Sequence, residues 1–170
     1  MKPALAAIST GLLLAAAALA LPARDPKPSV YADGTYGFTI QAPGFPKAPA
    51  NASVSLAIFS GPAEDGFGSN MNVVVQNVTV TLDEYREASL SQFKTAGMKV
   101  NSETKSKISG HDAVVWDYEG TMQGRELRWL AAAIGTKDRM FLVTCTALKK
   151  HFEKNEKEFR KSLESFKLAE

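Results

Sequence analysis

The chain is poor in the residues that build reactive or cross-linked centres. It has one cysteine, Cys145, in 170 residues, so no intramolecular disulfide can form and the core must hold the fold alone. Its two histidines, His111 and His151, stand on different predicted elements, which excludes a His-based metal cluster. Neither sign of charge dominates: 20 Lys and Arg against 18 Asp and Glu leave a formal charge of +2. Nucleic acid is therefore not an expected partner. Internal repeats and low-complexity tracts are missing, which removes solenoid and array architectures. Gly61-Pro62 and Gly66-Phe67-Gly68 match neither the P-loop nor the dinucleotide fingerprint and read as turn glycines. No cofactor is expected, and no metal.

What is present begins with a leader. Lys2 is followed by an uncharged stretch from Pro3 to Ala23 whose apolar centre is Leu12 to Leu21. A cationic start, an apolar middle and small residues at the exit are the parts of an export signal. Cleavage is expected after Ala20 in Ala18-Leu19-Ala20, with Ala23 as a second candidate three residues on. An uncleaved anchor is the alternative, since such a stretch could cross a bilayer of roughly 30 Å. The alanine content argues against a stable span. The expected organisation is residues 1–20 as signal peptide, 21–30 as linker and 31–170 as one domain, exported to the periplasm or beyond.

Within that domain, Gly37 to Pro43 alternates apolar and polar residues and reads as a strand. Ser53 to Ser60, with Val54, Leu56 and Ile58 on one face, reads as another. Gly61 to Asn70 reads as a loop, and Asn72 to Val80 as a β-branched strand. Thr81-Leu82-Asp83-Glu84 is a capping box that opens a helix, and Gly97 is placed to end it. Four strands follow: Met98 to Ile108, Ala113 to Tyr118, Arg125 to Ile134 and Arg139 to Ala147, a meander joined by short turns. The last segment, Lys149 to Lys167, sets Phe152, Phe159, Leu163 and Phe166 on one apolar stripe of a charged helix. The fold class is α+β: a layered sandwich of mainly antiparallel sheet with two flanking helices.

Several strings carry a resemblance: Tyr36 to Pro43 opening the domain, Thr81 to Tyr85 opening the first helix, Gly110-His111-Asp112-Ala113 at a hairpin, and Phe152 to Phe166 at the end. With the element order, they resemble the PsbP-like superfamily over nearly the whole mature chain. That resemblance implies a non-enzymatic module that binds a protein partner, and it transfers no metal-binding residue.

Two residues are weighed as chemical candidates. His111 is a polar turn residue or a general base oriented by Asp112 or Asp117. Cys145 shares strand parity with Phe141, Val143 and Ala147, the apolar side, where a thiol behaves as a small hydrophobe. Trp116 and Trp129 read inward with Val114, Tyr118, Leu127 and Ala131, as core rather than a stacking platform. His151 reads as a solvated surface group. The expectation is a non-catalytic accessory or protein-interaction module of the bacterial envelope, with no nucleic acid partner and a monomer by default. The alternatives are a hydrolase using the His111 hairpin, or a small-ligand carrier with its pocket between the sheet and the first helix, where Gly61 to Asn70 would form the lid.

Overall fold

A computed structural model describes residues 29–49 and 56–169. The export signal and its expected cleavage at Ala20 lie outside the described residues. In chain order the elements are β1 (Val30–Asp33), β2 (Phe38–Gln41), β3 (Lys47–Ala48), β4 (Ala57–Glu64), β5 (Phe67–Gln76), α1 (Leu82–Thr95), β6 (Lys99–Ile108), β7 (His111–Met122), β8 (Arg125–Gly135), β9 (Met140–Leu148), α2 (Phe152–Glu164) and β10 (Lys167–Leu168). A 3-10 turn, Lys149–His151, leads into α2.

Helix α1 starts where the capping box places it. Thr81 Oγ1 accepts from the Glu84 amide at 3.1 Å, and Glu84 Oε2 accepts from the Thr81 amide at 2.9 Å. The helix buries Tyr85, Ser89 and Phe93, and the chain leaves it at Gly97, whose φ of +68° suits glycine.

Seven antiparallel strands form the main sheet in the order β3-β4-β5-β9-β8-β7-β6. Because side chains alternate across a strand, its two faces collect different cores. Trp116 and Tyr118 of β7 and Trp129 of β8 join Tyr85 and Phe93 on the α1 side. Tyr118 stacks on Trp129 with ring centroids 5.1 Å apart, and Phe93 sits 4.2 Å from Tyr118. On the other side, Leu130, Val143 and Cys145 meet Phe152, Phe159 and Leu163 of α2. Each fully buried side chain of this size contributes about 2 kcal/mol. A small sheet, β1-β2-β10, adds Phe38 and Ile40 to this second core. The architecture is thus α+β in layers, as the pattern of elements predicts.

Two local readings are corrected. Gly61 to Asn70 is not a loop: β4 and β5 continue through it and turn at Asp65-Gly66, both in the left-handed region with φ of +50° and +72°. Glycine and proline suggested a break, but Pro62 sits where the β4–β5 register shifts, between Ser60 and Ala63, and a missing donor is tolerated at such a bulge. The segment is part of the sheet and offers no lid. The strand expected at Asn72 to Val80 ends at Gln76 and begins earlier, at Phe67. The strand read at Gly37 to Pro43 is present as β2 and pairs with β1 and β10. Residues 53–55 of the strand expected at Ser53 to Ser60 lie outside the described residues.

Candidate functional site

The chemical candidates are dispersed. His111 opens β7 opposite Ile108. Asp112 is taken by Lys107, whose Nζ donates to Oδ1 at 2.8 Å, and this contact holds the carboxyl below its usual range. Asp117 lies six residues along the same strand, about 20 Å away at the strand rise, and cannot orient His111. The His111 general-base arrangement therefore does not assemble with Asp117. Cys145 is fully buried, and desolvation pushes its thiol pKa far up. Trp116 and Trp129 are core residues, although the Trp116 indole donates to Glu103 Oε2 at 2.9 Å. His151 differs from its expected solvated state: its Nε2 lies 2.7 Å from Asp65 Oδ2, which also receives Lys150 Nζ at 2.7 Å. Among the described residues, no group of three or more His, Cys, Asp or Glu side chains is placed to hold a metal ion.

Carboxylates that stand close together in the chain are engaged, Glu84 by the Thr81 cap and the others by cations. Glu64 pairs with Lys154, and Asp83 receives Lys105 at 2.7 Å. Glu119 receives Lys149 at 3.1 Å and Lys99 at 3.6 Å. Asp117 is the buried member. Burial raises its pKa, but hydrogen bonds from Arg128 and Asn101 outweigh that cost and leave it below the ordinary value. A carboxylate held in this way is a poor proton shuttle.

The feature the sequence did not reveal is a groove of about 320 Å³ between β6–β7 and α2. Thr104 and Ser106 of β6 and Val115 of β7 meet Arg160, Leu163 and Glu164 of α2 across it. Leu163 and Ile108 form its buried apolar part, and the rim is hydroxyl and guanidinium. Arg160 is steadied by Glu156, whose Oε1 accepts from Nε at 2.9 Å and Nη2 at 2.6 Å. Its charge also reaches Asp117 and helps lower that carboxyl.

Among the described residues, strand β6 ends the sheet, pairing only with β7. Its outer edge presents peptide N–H and C=O groups along ten residues. The irregular register between Val100 and Ser102, with Lys99, Lys105 and Lys107, discourages copies of the chain from pairing there. The arrangement can bind an extended chain by main-chain hydrogen bonds while side chains enter the groove. No nucleophile and base meet there. The groove escaped notice because its walls are far apart in the chain and its rim is made of ordinary exposed polar residues.

No protein-family model matches this chain, and no curated protein matches it in sequence. Solved structures do. LpqN of Mycobacterium tuberculosis, described as involved in cell envelope biogenesis, aligns with a TM-score of 0.67 at 9% identity over 86% of this chain and 93% of its own. The cyanobacterial PsbP (CyanoP) of Synechocystis sp. PCC 6803 aligns with a TM-score of 0.61 at 14% identity over 87% and 95%. A Pseudomonas aeruginosa protein of unknown function aligns with a TM-score of 0.60 at 17% identity over 81% and 94%.

Proposed function

We propose, taking the PsbP-like fold as premise, that the chain is an exported accessory protein of the bacterial cell envelope, periplasmic or secreted, that acts by binding a protein partner rather than by catalysis. The observation that carries this reading is the β6 edge lying alongside the β6–α2 groove, a ready surface for an added strand. Three further points support it. LpqN, which shares the fold, is tied to envelope biogenesis. The amino-terminal sequence has the parts of an export signal. Among the described residues, no helix is long and apolar enough to cross a membrane. Asp117 and Asp65 serve in ion pairs, Glu84 in a helix cap, and the thiol as core.

Fractionation of host cells, followed by mass spectrometry of the amino terminus, tests the compartment. The expected result is a chain beginning at Leu21 and released by osmotic shock. An intact Met1 retained in the cytosolic or membrane fraction would contradict it.

A further inference from the structure

The edge that β6 leaves open among the described residues has a definite hydrogen-bonding register. Ser109 and Gly110 turn β6 into β7 with φ of +52° and +77°, a two-residue turn flanked by the pair Ile108 and His111. Such a turn makes its flanking residues a hydrogen-bonded pair, and these pairs alternate with unbonded ones along an antiparallel ladder. Ser106 opposite Ala113 and Thr104 opposite Val115 therefore also bond inward to β7. Glu103, Lys105 and Lys107 turn their N–H and C=O groups outward, and an added strand pairs with those three. Its side chains beside Thr104 and Ser106 then point to the α2 side, where the groove lies.

The groove asks such a strand for a long side chain. Its apolar floor includes Val115, which stands on β7, one strand in from the edge, and Leu163 on α2. Strands lie about 4.8 Å apart, so a side chain from an added strand must cross β6 before it meets that floor. Only the small Thr104 and Ser106 stand in its path. Charge then chooses among long side chains. The charged residues lining the groove are Lys107, Arg160 and Glu164. Lys107 is neutralised by Asp112 at 2.8 Å and Arg160 by Glu156 at 2.6 Å. Glu164 is exposed and has no cation on it among the described residues.

We propose that the groove takes a lysine or arginine side chain from an extended partner segment paired to β6, with its stem on Val115 and Leu163 and its cationic head at Glu164. This rests on partner binding at the β6 edge and adds the chemistry by which the partner is chosen. Lys and Arg lay an apolar stem along an apolar surface and keep the charged head at a polar rim. An acidic side chain would find both cations already neutralised and would face Glu164 as a like charge, which rejects it. A methionine would cover the floor but leave the Glu164 carboxylate unpaired beside it.

The test pans a phage-displayed library of random nine-residue peptides on the mature protein and measures the selected peptides in solution. They are expected to carry Lys or Arg at one position and to slow amide exchange at Glu103, Lys105 and Lys107, whose N–H groups face outward. Glu164→Lys should weaken their binding at least about tenfold, while Glu87→Lys, on exposed α1 surface, should leave it unchanged. Peptides that protect those amides without a basic residue in common, or that bind Glu164→Lys as well as wild type, would overturn the basic-side-chain assignment and leave edge binding standing. Selection of no peptide, or of peptides that leave the β6 amides unprotected, would overturn both.

Discussion

Arg128 holds Asp117 with two nitrogens: Nε donates to Oδ1 at 2.9 Å and Nη2 to Oδ2 at 2.7 Å. Asn101 adds a third donor to Oδ1 at 3.1 Å, and the guanidinium lies 4.4 Å from the centre of the Phe152 ring. The pair thereby ties the β7–β8 ladder to the start of α2, one wall of the groove.

Removing Arg128 strands a buried carboxylate. Arg128→Ala should lower stability by about 3 kcal/mol in urea unfolding at pH 7. The pH dependence follows from the lowered carboxyl. With its folded pKa below 3.8, Asp117 contributes stability in full above that value and loses it as pH falls through the lowered one. The gap between wild type and Asp117→Asn should therefore be widest near neutrality and shrink in acid. A constant gap from pH 7 to pH 2 would contradict this.

Asp65 joins the tip of the β4–β5 hairpin to the base of α2 through Lys150 and His151. The hydrogen bond from Lys150, then that from His151, lowers its pKa to about 2. A carbon-detected NMR titration should show Asp65 ionising near that value rather than at the ordinary 3.8. Lys150→Ala should move it upward. Asp65→Asn should keep the positive-φ turn, which asparagine tolerates, while releasing the α2 end.

The Cys145 thiol should not react with a disulfide reagent in the native state, because it is fully buried and desolvation holds it protonated. Labelling is expected only on unfolding, at a rate that follows global opening. Rapid labelling of the folded protein would show that the α2 side of the core is open.

Gly61 faces the Phe45 ring: an added Cβ would lie 2.9 Å from its Cε1 and 3.0 Å from its Cδ1. Phe45 in turn meets Phe159 edge-on, with centroids 6.2 Å apart. Gly61→Ala should displace the ring and cost about 1–3 kcal/mol, measured by thermal or urea unfolding. A neutral result would show that Phe45 moves aside freely.

Much of this structure is legible in the sequence where a short-range rule decides it. The Thr81–Glu84 box and Gly97 bracket α1 because their chemistry acts within one turn. The parity of Trp116 with Tyr118, and of Cys145 with Phe141 and Val143, puts each set on one face of its own strand because β-strands alternate. What escaped depends on distant pairing. β10 is two residues long and exists because Lys167 and Leu168 meet Thr39 and Phe38. The Gly61–Asn70 hairpin hid behind Pro62, tolerated at a bulge that only the β4–β5 register creates.

Partner binding at the β6–α2 groove is tested most directly by placing a photo-activatable side chain at Ser106, in the groove, and separately at Glu87, exposed on α1, in host cells. Ser106 is expected to yield one discrete envelope-protein adduct that Glu87 does not yield, with β6 amides gaining exchange protection in that complex. No adduct at Ser106, or the same adducts from both positions, would contradict binding through this edge.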